Sequence, residues 1–143
     1  MNKEFMKEAL RYARDSGKDV PVGAVIVRDG VIIAQAHNQK EQLNDATMHA
    51  EIVAIRLASK HLGTWRLAGC ELYVTLEPCP MCASAIIQSR ISNVYFGSYD
   101  SLYGAFGSKI NMKDTLPSNL EIKGGILQEE CDNIIRSYFE ELR

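Results

Sequence analysis

At 143 residues the chain has the usual size of one domain and is long enough to bury a core without disulfide support. Its composition, 46% hydrophobic and 24% charged with four prolines and no low-complexity tract or solenoid-period repeat, excludes a chain dominated by disorder. A formal net charge of −2 argues against coating long nucleic acid through bulk positive charge, while leaving room for a local basic patch. The start, Met1-Asn2-Lys3-Glu4-Phe5, is charged where a secretory signal needs an apolar run, and no stretch approaches the roughly 18 apolar residues of a membrane span. The expectation is a cytoplasmic protein of one domain, residues 1–143, with no membrane partner. Cys70, Cys79, Cys82 and Cys131 are then thiols or metal ligands rather than disulfides.

In chain order, Phe5, Ala9, Tyr12 and Ala13 recur at helical spacing after a capping Asn2, which predicts an amphipathic helix over 3–15 ended by Gly17. Two β-rich runs, Val22 to Val27 and Val31 to Ala36, flank Asp29-Gly30, a dipeptide suited to a tight hairpin. A largely buried helix is expected from His49 to Leu62, with Gly63 just beyond it. Leu72 to Leu76 reads as a short strand running into Glu77-Pro78-Cys79-Pro80-Met81-Cys82, followed by a helix over Ala83 to Ile91. Val94 to Gly97 is the next strand, and Gly104, Gly107 and Pro117 mark a long connection of the kind that often carries substrate contacts. A weak strand over Leu120 to Lys123 and a helix over Glu129 to Leu142 complete the chain. Strands alternating with helices imply an α/β domain, one sheet covered by helices.

The chemistry concentrates in His49-Ala50-Glu51 and Pro78-Cys79-Pro80-Met81-Cys82, which match H-x-E…P-C-x-x-C, the signature of zinc deaminases. Each part has a physical reason. Two cysteines three apart share a face at the first turn of a helix, whose N-terminus favours the thiolates that zinc requires. Prolines flanking Cys79 cost little there, because first-turn N–H groups have no intrahelical partner. His49 supplies a third ligand from a separate element, leaving one corner for water, the pattern of catalytic rather than structural zinc. A closed Cys₂His₂ site would need a second histidine, and neither His37 nor His61 stands at finger spacing from His49.

Two thiolates and a neutral imidazole cancel the charge of Zn2+, so a nearby base is needed, and Glu51 is the candidate to take and return protons. Residues two apart do not face each other on a regular helix, so His49 or Glu51 must lie at an irregular helix start. Cys70 and Cys131 read as buried thiols, and His37 as a strand residue.

On these residues the chain resembles the bacterial tRNA-specific adenosine deaminases of the cytidine deaminase superfamily. The likeness runs through Val20 to Ile26, Ala36-His37-Asn38, Thr47 to Glu51, Leu62 to Leu67, Leu72 to Cys79, Ser89-Arg90-Ile91 and Gly104 to Ser108. It implies a cytidine deaminase-like three-layer α/β/α sandwich around a five-stranded mixed sheet. It further implies a homodimer and the conversion of adenosine to inosine at the wobble position of a tRNA anticodon stem-loop. By the same resemblance Asn38 would hydrogen-bond the flipped base, Val22 and the backbone near Ala50 would line its pocket, and Asp100 would contact the nucleotide backbone or ribose.

Two other readings stay open. Pro-Cys-Pro-Met-Cys also occurs in deaminases of free guanine, cytosine or nucleosides, which need no RNA surface. A non-catalytic zinc-bearing RNA-binding subunit would lack the proton shuttle, and Glu51 is present. The acids of the last segment, Glu129, Glu130, Asp132, Glu140 and Glu141 beside Arg136 and Arg143, fit a solvated amphipathic helix.

Overall fold

The computed structural model describes residues 1–142. Helix α1 (Lys3–Ala13) starts where expected, the Asn2 side chain accepting the Glu4 N–H at 3.0 Å. It stops short of Gly17. Asp15 and Ser16 donate to Tyr12 and Ala13, tightening the last turn before Gly17 takes a φ of +62°.

Strands β1 (Gly23–Arg28) and β2 (Val31–His37) form the predicted antiparallel hairpin. Asp29 and Gly30, at φ 50° and 77°, both take the left-handed conformation that lets a two-residue loop follow the twist of its strands. A short helix, α2 (Lys40–Leu43), follows; its single turn is too short to leave a periodic pattern. Asp19 anchors it, accepting from the Glu41 and Gln42 amides at 2.9 and 3.4 Å.

Next come α3 (Ala50–Leu62), β3 (Cys70–Leu76), α4 (Pro80–Gln88) and β4 (Asn93–Ser98). The chain closes with α5 (Met112–Thr115), β5 (Glu121–Lys123) and α6 (Gln128–Glu141). Helix α4 begins three residues earlier than the sequence pattern suggests and ends at Gln88 rather than Ile91. Cys79 is its N-cap and Pro80 its first residue, so the CxxC lies inside the first turn. Of the terminal acids, Asp132 is not simply solvated, because it accepts from the Ser98 hydroxyl at 2.5 Å. Arg143 lies outside the described residues.

The strands form one mixed sheet in the order β2-β1-β3-β4-β5, with β1 antiparallel to β2 and β3, and β3-β4-β5 parallel. Alternation along the strands divides the core into two layers. Ala24, Ile26, Leu72 and Val74 pack with residues of α3 and α4, whereas Val25, Val27 and Tyr73 pack with α1 and Cys131 of α6. This is the three-layer α/β/α sandwich. Helix α1 presses so closely on β1 that a Cβ at Gly23 would fall 1.8 Å from the Ala9 carbonyl oxygen, so only glycine fits there. Among the described residues no helix is long and apolar enough to cross a membrane.

Candidate active site

His49 resolves the two-residue spacing with Glu51. It is the N-cap of α3, with extended backbone at φ −72° and ψ 154°, while Glu51 sits inside the first helical turn. The break in backbone direction between cap and helix lets both side chains serve one place. Glu51 is 4% exposed and faces Cys82 and His49. Burial pushes its carboxyl up to about 7, only partly opposed by its own backbone amide and by His49.

Cys79 and Cys82 reach the same place from the start of α4. Their Sγ atoms stand 3.6 and 3.5 Å from His49 Nδ1, and the three ligand atoms all lie within 4.8 Å of one another. A tetrahedral zinc with ordinary Zn–S and Zn–N bonds separates such ligands by about 3.6 Å, so the triplet fits the ion without rearrangement. The donor chemistry agrees. The neighbouring Cys82 thiol, followed by His49, holds the Cys79 thiol down to about 4, making it a ready thiolate. Cys82 is pushed strongly upward by that neighbouring thiolate and by burial, an unfavourable pairing that a cation between the two sulfurs would relieve.

Of the other residues singled out in the sequence, Asn38 is bonded to the backbone next to His49, and Asp100 lies in the loop after β4. On the His49 side, the Asn38 amide accepts from the Ala50 N–H at 2.8 Å and donates to the Val20 carbonyl at 2.9 Å, while the Asn38 N–H donates to the Val22 carbonyl at 3.1 Å. Asn38 is thus tied directly to Ala50, beside His49, and Val22 is linked to it through Asn38. Half of the Asn38 hydrogen-bonding capacity remains unused.

On the cysteine side, Asp100 caps its own turn, accepting from the Leu102 and Tyr103 amides at 3.0 and 3.1 Å. His37 ends β2, its Nδ1 2.9 Å from the Asn38 carbonyl, and Cys70 and Cys131 are buried thiols.

Sequence reasoning passed over Asp19 and Glu77. Both are buried acids whose carboxylates gather backbone amides from distant segments, Asp19 from the first turn of α2 and Glu77 from residues 100–108. The available signal was an acidic residue beside a proline: Glu77 directly before Pro78, at the end of an apolar strand, and Asp19 two residues before Pro21.

A family model described as the cytidine and deoxycytidylate deaminase zinc-binding region matches residues 1–98. With the fold and the ligand set, this defines the protein as a zinc-dependent deaminase. The chain is 45% identical to the tRNA-specific adenosine deaminase of Bacillus subtilis (strain 168), over 97% of this chain and 89% of that one. A solved structure from studies of A-to-I editing by tRNA:A34 deaminases at the wobble position of transfer RNA superposes with a TM-score of 0.86. It is 42% identical, over 93% of this chain and 99% of its own. The guanine deaminase of Bacillus subtilis is 45% identical but covers 69% of this chain and 66% of its own, with a TM-score of 0.67. The chain belongs to the tRNA-specific adenosine deaminases.

Proposed function

We propose that the protein deaminates adenosine to inosine at the wobble position of a tRNA anticodon stem-loop, acting in the cytoplasm as a homodimer. The observation that carries this reading is high identity sustained over the full extent of the match. Relatives named for tRNA combine 42–45% identity with alignment over nearly both full lengths, whereas one guanine deaminase is 45% identical over only about two thirds of each chain and another spans 96% of this chain at only 23% identity.

In this reading His49, Cys79 and Cys82 hold the metal. Zinc held by these three residues would supply Lewis acidity toward a water molecule. Glu51 accepts the two protons of the attacking water in turn at its buried carboxylate, passing one to the ring nitrogen and the other to the departing amine. The exocyclic C–N bond is replaced by C=O, with ammonia leaving. Asn38 meets the flipped base with its spare hydrogen-bonding capacity, Val22 and the Ala50 backbone line the pocket, and Asp100 lies toward the nucleotide backbone. A flipped, unpaired base is required because a stacked one cannot reach the metal.

The partial likeness to a guanine deaminase favours one second reading, a deaminase of free bases. A substrate panel separates them. The zinc-loaded protein should form inosine in an anticodon stem-loop and release no ammonia from guanine or cytosine; the reverse pattern would overturn the tRNA assignment.

A further inference from the structure

Glu77 is 2% exposed and has no part in the chemistry described above. Its Oε1 accepts from the Asp100 N–H at 3.1 Å and from the Ser108 hydroxyl, and its Oε2 from the Phe106 and Ser108 N–H groups at 3.0 and 3.2 Å. Four donors from a nine-residue span, 100–108, thus meet on one carboxylate. Resting on the substrate reading above, we propose that Glu77 is a positioning residue that fixes loop 99–108 against the metal centre and so governs RNA binding rather than the chemical step.

The backbone shows how the two regions are joined. The end of β3 pairs with the end of β4, Leu76 opposite Ser98, and the Glu77 N–H donates to the Ser98 carbonyl at 2.8 Å. The loop then leaves, turns at Asp100 to Gly104, and returns to give the Ala105 N–H to the Pro78 carbonyl at 2.9 Å, beside the ligand Cys79. The fit leaves no room for adjustment: a Cβ at Gly104 would lie 2.4 Å from the Asp100 carbonyl oxygen and 2.5 Å from Glu77 Cδ.

Loop and carboxylate need each other. A buried carboxylate without donors is costly, and the loop amides have no other acceptor of comparable strength. Outward from this anchor the turn presents Leu102, 73% exposed, and Tyr103, 65% exposed, next to Asp100. All stand at the carboxyl ends of parallel strands, where ligands of open α/β sheets bind. A loop that contacts the substrate away from the reacting atoms helps ground and transition states equally. Its release therefore raises KM and spares kcat.

Glu77→Gln keeps the shape but turns one acceptor position into a donor facing other donors. With an anticodon stem-loop as substrate, the variant should show KM raised at least about tenfold, kcat within about threefold, and one equivalent of zinc retained. Hydrogen exchange at the amides of residues 100, 106 and 108 should speed up at least about tenfold. Ser108→Ala, which removes one donor, should move KM the same way by about two- to threefold, and it serves should Glu77→Gln fail to fold. An unchanged KM despite faster loop exchange would overturn the proposal, as would a fall in kcat or zinc content with KM unchanged. If the unaltered protein itself leaves the stem-loop untouched, the substrate reading fails; the exchange arm then decides alone whether Glu77 holds the loop.

Discussion

The two faces of the sheet are built on different principles. On the face that carries the metal centre, α3 turns Ala50, Ala54 and Ala58 inward to meet Ala24, Ala34 and Ala36 among the strands. Small side chains let the helix lie close to the sheet, so the height of its first turn, with His49 and Glu51, is set by backbone packing rather than by adjustable rotamers. The opposite face is filled by bulk. Tyr73 stacks between Phe5 and Tyr95, with ring centroids 5.4 and 4.8 Å away, and Met6 and Leu10 close the layer. The metal face is lined by small side chains only where α3 crosses the sheet; beside α4 it carries Leu72, Val74, Ile86 and Phe96, and both faces supply hydrophobic stabilisation.

That contrast can be broken from either side. The largest effect belongs to the ligands: Cys82→Ala should lose zinc, turnover and thermal stability together, because binding energy at a metal site is also folding energy. Metal content by mass spectrometry beside a melting curve checks it, and full zinc retention would argue against the assigned ligand set.

Glu51→Ala comes next. Turnover should fall by about 10²- to 10⁴-fold, the usual contribution of a positioned acid or base, while zinc stays bound. Single-turnover rates on a stem-loop, with metal content measured in parallel, would test this; near-normal rates would remove Glu51 from the mechanism. The smallest functional effect belongs to the far face. Met6→Ala should cost about 2–5 kcal/mol of stability in a denaturant titration, yet leave kcat unchanged at temperatures where the variant is folded.

Legibility followed the same division between local and distant. His49, Glu51, Cys79 and Cys82 could be found in the sequence because each half of the site is a short contiguous motif whose spacing reflects one helix start. The hairpin was equally readable, since Asp29-Gly30 carries its turn geometry within two residues. For helix α4 the apolar period starts at Ala83, whereas the Pro-Cys-Pro-Met-Cys chemistry puts both cysteines in the first turn, and the structure sides with the chemistry: Cys79 caps the helix and Pro80 opens it. Asp100 is assigned to the nucleotide backbone or ribose by resemblance alone, and no spacing in the sequence reveals that its Oδ1 also holds its own turn.

What the sequence by itself determined is the chemistry: the ligand types, the acid beside them and the strand-helix alternation that brings them to one sheet. The tertiary structure alone decided the frame around that chemistry. Asp19 reaches α2 and Glu77 reaches loop 99–108 across separations of 22 to 31 residues, and such contacts leave no periodic trace. A buried carboxylate finds its partners only after the strands have paired and water has been excluded, and that is a property of the folded packing rather than of any segment.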